Sequence, residues 1–249
     1  MTLLQLSRIS HAYLGRTVIE HISLAISAGE IAVLVGPSGC GKSTVMHAAA
    51  GLIEARDGRV ERSYHRHAMV FQDPRLMPWL TALENIALPL HLRGIRRKDR
   101  HAAARQMAES VSLAATDLDK YPSELSGGMR QRAAIARALI GGPDFIYFDE
   151  PFTALDVALK RRMQDLVITA AARSSFAALF VTHDLNEAVR LGNRILVMDA
   201  NGRGIAGSRT LPGTPGDRSD AEIFAMVDSF TREDPLFRQI HDVDERRTA

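Results

Sequence analysis

The chain has 249 residues, 46% of them apolar and 24% charged, enough to bury a full core in one domain or in one domain with an inserted lobe. A formal net charge of +2 excludes nucleic-acid binding driven by charge alone, and a single cysteine, Cys40, excludes an internal disulfide and fits a reducing compartment. No run approaches the roughly 18 consecutive apolar residues of a membrane span, and the start MTLLQLSRIS lacks a signal peptide's basic and apolar regions, so the chain is not expected to cross a bilayer alone.

In chain order, alternating Ile22, Leu24 and Ile26 predict a half-buried antiparallel strand, closed by a turn at 28–30. The unbroken apolar run IAVLV at 31–35 predicts a strand covered on both faces, as in a parallel sheet. Similar runs recur at 68–71, 145–148, 177–181 and 194–198, with helical segments between several of them, which predicts an α/β fold. Between 81 and 140 the strand signal vanishes, and stretches such as DRHAAARQMAESVSLAA (99–115) read as helix, so a helical lobe is expected as an insertion at about 75–140. Within it, the basic segment 92–105 has two readings, a solvated loop and helix face or a contact with a partner or anionic lipid. After 194–198, Asn201-Gly202 predicts a hairpin turn, 204–217 a Gly/Pro-rich loop, and the residues from Asp220 a helical tail.

The segment GPSGCGKST fits G-x-x-x-x-G-K-[ST] and lies between the strand at 31–35 and a helical run at 43–55. Its glycines let backbone N–H groups turn toward phosphate oxygens, Lys42 is placed for the β/γ-phosphates, and the Ser43 hydroxyl for Mg²⁺. The candidate nucleotide-binding residues are Gly36, Pro37, Ser38, Gly39, Cys40, Gly41, Lys42, Ser43 and Thr44. Cys40 is expected to react with thiol reagents and to be protected by ATP. In FIYFDEP, Asp149 fits the carboxylate that holds Mg²⁺, and Glu150 is placed to polarise water. Gln72 and His183 each follow an apolar run, and parallel strands would bring both to the edge where ligands bind in open α/β sheets. His65 and His67 have no second group of ligands and read as surface residues. In LSGGMRQR, Ser126, Gly127 and Gly128 precede residues of helical spacing, so they lie at a helix start that favours an anion. A serine cap with a flexible turn is the plainer reading. A second anion site in a chain that already has a phosphate loop suits closure over the nucleotide of another copy.

GPSGCGKST, Gln72, LSGGMRQR, FIYFDEP, ALD at 154–156 and TH at 182–183, in that order, resemble the nucleotide-binding subunit of an ATP-binding cassette (ABC) transporter over about residues 1–205. The resemblance implies a P-loop NTPase (RecA-like) core with an N-terminal antiparallel β subdomain and an inserted helical subdomain, followed by a tail at 206–249. It also implies ATP and Mg²⁺ as cofactors and a head-to-tail homodimer with two ATPs at its interface. Carried over by residue, Ser126, Gly127 and Gly128 would meet the γ-phosphate held by the other copy, and Asp156 would line the interface. His183 would sense the γ-phosphate, Glu150 would act as catalytic base, Gln72 would join Ser43 and Asp149 at the metal, and Tyr13 would stack on adenine. Met129 stands where many family members have glutamine, outside the implied phosphate contact.

LSGGMRQR together with FQDPRLMPWLTALENI is similar to the bacterial import ATPases for nitrate, aliphatic sulfonates, taurine and related solutes. The implied partners are transmembrane permease subunits and, through them, a periplasmic solute-binding protein, with no nucleic acid. The implied location is the cytoplasmic side of the inner membrane. Leu76, Met77 and Trp79 would suit the groove for a permease helix, or would be core. An exporter ATPase, a soluble non-transport ABC ATPase and a nucleotide or sugar kinase are the competing readings. The absence of sustained heptads and of a second cassette argues against the soluble ATPases, and LSGG and His183 have no use in a kinase.

Overall fold

The computed structural model describes residues 1–237. In chain order its elements are β1 (Thr2–Tyr13), β2 (Arg16–Ser27), β3 (Ile31–Val35), α1 (Lys42–Ala50), β4 (Asp57–Arg62), β5 (His67–Val70), α2 (Ala82–Leu92), α3 (Arg97–Ser110), α4 (Gly127–Ile140), β6 (Phe145–Asp149), α5 (Val157–Ser174), β7 (Ala177–Val181), α6 (Leu185–Leu191), β8 (Arg194–Met198), β9 (Ile205–Thr210) and α7 (Asp220–Glu233). They fall into two compact units, one formed by the first 64 residues together with those from Phe176 onward, the other by His65–Ser175. The part of the expected helical tail at 238–249 lies outside the described residues.

In the first unit, β1 pairs antiparallel with β2 on one side and β4 on the other. The β1–β2 turn is Leu14-Gly15, both at positive φ (48° and 80°), the backbone that a two-residue hairpin with right-handed twist demands. Ile22, Leu24 and Ile26 of β2 are buried, as their alternation predicts. β3 pairs parallel with both β7 and β8, and every residue of β3 and β7 is buried. Parallel strands of this kind need cover on both faces, which explains why their sequences lack polar alternation.

β9 corrects the expectation of a loop across 204–217. It runs antiparallel to β8, with Leu196 opposite Ser208. Its side chains, in IAGSRT, are mostly exposed, so its strand state rests on backbone pairing that leaves no apolar pattern in the sequence. The expected turn at Asn201-Gly202 is present. The Asp199 carboxylate accepts from the Asn201 and Arg203 N–H groups, and Gly202 takes φ 73°.

The second unit contains β5 and β6, paired parallel from His67 opposite Phe145 to Val70 opposite Phe148, together with α2 to α5. Helix α3 stops at Ser110, short of the expected 115, because Ser112 turns to φ 58° and the Arg132 guanidinium takes the carbonyls of Val111 and Ser112 as acceptors. In the first unit α1 likewise ends at Ala50, short of 55: Gly51 adopts the left-handed cap, and Arg62 donates to the carbonyls of Ala48 and Ala49 at 2.8 and 2.7 Å.

Asn85, fully buried in α2, organises the stretch before that helix. Its Nδ2 donates to the carbonyls of Met77, Leu80 and Thr81 at 3.0 to 3.1 Å, and its Oδ1 accepts from the Met77 N–H at 2.8 Å. Leu76 is buried, in keeping with the core reading, whereas Trp79 is 70% exposed. Asn85→Ala would strand buried backbone groups, and a loss of about 2–4 kcal/mol in urea-unfolding free energy is expected from the cost of unmet hydrogen bonds.

Candidate active site

The phosphate loop leaves the carboxyl end of β3 and runs directly into α1. A Cβ added to Gly36 would sit 3.0 Å from the Cys40 Sγ, and one added to Gly41, at φ 101°, would sit 2.6 Å from the Ile19 Cγ2. Gly41 therefore requires glycine for space and torsion, while a side chain at Gly36 would press closely on Cys40. Gly41 caps α1 and has no side chain to take up the helix's first N–H groups. Lys42 is 7% exposed, and its Nζ donates to the carbonyls of Gly36 and Pro37 at 2.7 and 2.9 Å. Ser43 is exposed on the first turn. Glycine turn, helix N-terminus, cation and hydroxyl together fit a polyphosphate.

The burial of Cys40 argues against the ready reaction with thiol reagents expected of it. The residue is 3% exposed, and burial pushes its thiol up, against the opposing pull of the Lys42 charge. Its place in the loop is structural, with its N–H donating to the Pro37 carbonyl at 3.3 Å.

His183 follows β7, whose parallel pairing with β3 puts it and the phosphate loop at the same strand ends. It is exposed, and its neighbours on both sides are fastened. The Thr182 hydroxyl donates to the Glu187 carboxylate at 2.7 Å and accepts from the Asp184 N–H at 3.1 Å, while the Asp184 carboxylate caps α6 through the N–H groups of Asn186 and Glu187. Thr182 and Glu187 are both buried, a pairing that the sequence analysis did not single out. Tyr13, at the end of β1, is 46% exposed and meets the His11 ring edge-on at 4.6 Å.

In the second unit, Gln72 lies two residues beyond β5, and Asp149 is the last residue of β6, so both mark carboxyl ends of a parallel pair. Asp149 is 5% exposed. Glu150 is half-buried and holds φ 44°, a left-handed conformation that is uncommon for a side chain of its kind. Its carbonyl accepts from the Thr153 hydroxyl at 3.0 Å.

Ser126 is exposed and caps α4, its Oγ accepting from the Met129 N–H at 3.3 Å. Gly127 and Gly128 form the first helical residues. A Cβ on Gly128 would lie 3.3 Å from the Ala154 carbonyl, while Gly127 has open space around it. Gly128 thus lets α4 approach the turn that leads to Asp156. Asp156 is exposed and caps α5 through the Leu159 N–H at 3.0 Å.

Helix α4 also grips the segment around Gln72, through contacts that the sequence pattern alone does not specify. Buried Gln131 donates to the Phe71 carbonyl at 3.2 Å, and Arg137 donates to the carbonyls of Pro74 and Arg75, both at 3.0 Å. Burial pushes the Arg137 guanidinium below its ordinary value. Gln131 lies in the tripeptide RQR after the signature glycines, which was the available signal, whereas Arg137 lies beyond it. Among the described residues no group of three or more His, Cys, Asp or Glu could hold a metal.

A glycine-cradled lysine at a helix start after a buried parallel strand defines a P-loop nucleotide-binding protein. Residues 19–153 match the ABC transporter family, and the chain belongs to that family, as an ATP-binding and ATP-hydrolysing cassette. It is 44% identical over 217 residues to an aliphatic sulfonates import ATP-binding protein, SsuB 1, of Pseudomonas syringae pv. syringae, covering 86% of this chain and 88% of the relative. It is 38% identical over 235 residues to a taurine import ATP-binding protein, TauB, of Sinorhizobium fredii, covering 92% and 86%. A dimeric post-hydrolysis structure of the ATP-binding cassette MJ0796, bound to ADP and Pi, superposes with a TM-score of 0.77 at 28% identity, covering 85% of this chain and all of that one.

Burial of Cys40 predicts that native protein reacts with a thiol reagent at pH 7 at least about tenfold more slowly than protein unfolded in urea, because exposure and thiolate fraction set the rate. Timed labelling with Ellman's reagent checks this; equal rates would mean that the loop opens freely.

Proposed function

We propose that this chain binds and hydrolyses ATP to drive import of a small anionic solute, of the sulfonate class, through separate permease subunits. The observation that carries the reading is one chain holding both a lysine-anchored phosphate loop and an exposed, serine-capped signature helix, in a sequence about 40% identical to proteins named for sulfonate and taurine import. Those names favour import over export. The ATPase domain spans about 1–205 and extends through β9, which pairs with β8, with its helical insertion at about 75–140.

In this reading the α1 N–H groups and Lys42 bind the phosphates, and Tyr13 stacks on the adenine. Ser43, Gln72 and Asp149 offer hydroxyl, amide and carboxylate oxygens, the hard donors that Mg²⁺ takes alongside phosphate oxygens. Bound there, Mg²⁺ would neutralise charge developing on the phosphates. Glu150 orients the attacking water and receives its proton, while His183 and Gln72 contact the γ-phosphate and the water. Two copies pair head to tail, so that Ser126, Gly127 and Gly128 of each close on the other's γ-phosphate and Asp156 lines the interface; the dimeric state of the cassette MJ0796 supports pairing of two copies. The chain works at the cytoplasmic face of the inner membrane, where closure of the dimer moves the permease and a periplasmic binding protein delivers the solute. Coupling requires that the closed dimer bind ATP more tightly than the open one.

Glu150→Gln keeps the shape of the side chain and removes the base. ATP binding should persist, phosphate release should fall by about 10²- to 10⁴-fold, and ATP should convert the variant to a dimer in sedimentation. A variant that stays monomeric and hydrolyses at the wild-type rate would remove Glu150 from the chemistry and with it the two-copy mechanism.

A further inference from the structure

The basic stretch at 92–105 has no part in the nucleotide chemistry, and its placement is locally unfavourable on two counts. Helices α2 and α3 pack together, and the tip that joins them, residues 92–98, is exposed throughout. The tip carries Arg93, Arg96, Arg97 and Lys98. The neighbouring carboxylate, Asp99, pairs with Arg96 at 2.9 Å. Arg93 donates to the Gly141 carbonyl at 3.2 Å, and Arg100 donates to the Ile95 carbonyl at 3.0 Å, but Arg97 and Lys98 have no hydrogen-bond or ion-pair partner among the described residues. These cations crowd the start of α3, the positive end of its dipole, where carboxylates are the stabilising choice. His101, one turn further, is pushed below its ordinary value by burial and then by Arg97 and Arg100, with Glu84 opposing. The second unfavourable feature is apolar: Leu92 is 79% exposed and Ile95 36%, among the cations.

An external surface that supplies both negative charge and hydrocarbon relieves both costs. An acidic protein face supplies the first; the interface of an anionic bilayer supplies the two together. We propose that the α2–α3 tip rests on the headgroup layer of an anionic phospholipid membrane, with Arg96, Arg97 and Lys98 against lipid phosphates and Leu92 and Ile95 in the interfacial layer. The proposal goes beyond the ATPase reading and does not depend on it.

The test is flotation of the full chain with vesicles of phosphatidylcholine alone or mixed with phosphatidylglycerol, at low and high salt, with ATP hydrolysis measured in parallel. Binding is expected to anionic vesicles, to weaken with salt, and to fall on the order of a hundredfold in the triple variant R96Q/R97Q/K98Q. Leu92→Ser should lower the salt-resistant remainder. Wild-type protein that ignores anionic vesicles at low salt, or binds neutral ones equally, overturns the proposal, as does undiminished binding by the triple variant. Retained hydrolysis in that variant reports an intact fold, and loss of hydrolysis leaves the wild-type vesicle and salt comparisons to decide. A wild-type chain that floats without hydrolysing ATP would count against the ATPase reading alone.

Discussion

Lys42 holds its ammonium against two peptide carbonyls while 7% exposed, and the rest of the nucleotide site is arranged around that burial. A cation removed from water and met by neutral acceptors creates a demand for an anion that backbone oxygens do not satisfy. The carbonyls it uses belong to Gly36 and Pro37, at the exit of β3, so their position is fixed by a strand whose five residues are all buried between β7 and β8. The same strand end sets the entry angle of α1, whose glycine-capped N-terminus adds its own attraction for phosphate. Core packing and ligand chemistry therefore share one short segment.

Helix α4 has a comparable double role in the second unit. Its first turn presents Ser126 and the two glycines, while its body holds Phe71, Pro74 and Arg75 through Gln131 and Arg137. A displacement of the signature end along the helix axis must therefore carry the backbone on either side of Gln72 with it. Asn85 fixes the far side of the same segment through Met77. The exposed Trp79 thus stands on a stretch with tightly specified ends.

The strands that carry the site were legible because parallel burial leaves unbroken apolar runs: 31–35, 145–148 and 177–181 all appear as strands. β4 and β9 were not, because DGRVER and IAGSRT are largely exposed and are strands through backbone pairing alone. The early ends of α1 and α3 depend on arginines distant in sequence, Arg62 and Arg132, which no local pattern announces. The site divides in the same way. Residues whose chemistry demands a motif, such as Lys42 and Asp149, could be read directly. Those that brace the segments beside His183 and Gln72, namely Glu187, Gln131 and Arg137, act through hydrogen bonds to partners that only the folded chain brings near. Cys40 lay inside a legible motif, but its reactivity depends on burial, which the motif does not encode.

The left-handed torsion at Glu150 sets this carboxylate apart from the others around it. For a residue with a Cβ such a conformation carries a cost of about 1–3 kcal/mol, and glycine or asparagine would occupy it more comfortably. Drift toward greater stability alone would move this position away from glutamate. A glutamate there is the kind of local disagreement between sequence and backbone that folding does not reward, and the proposed role as base is what would offset its cost.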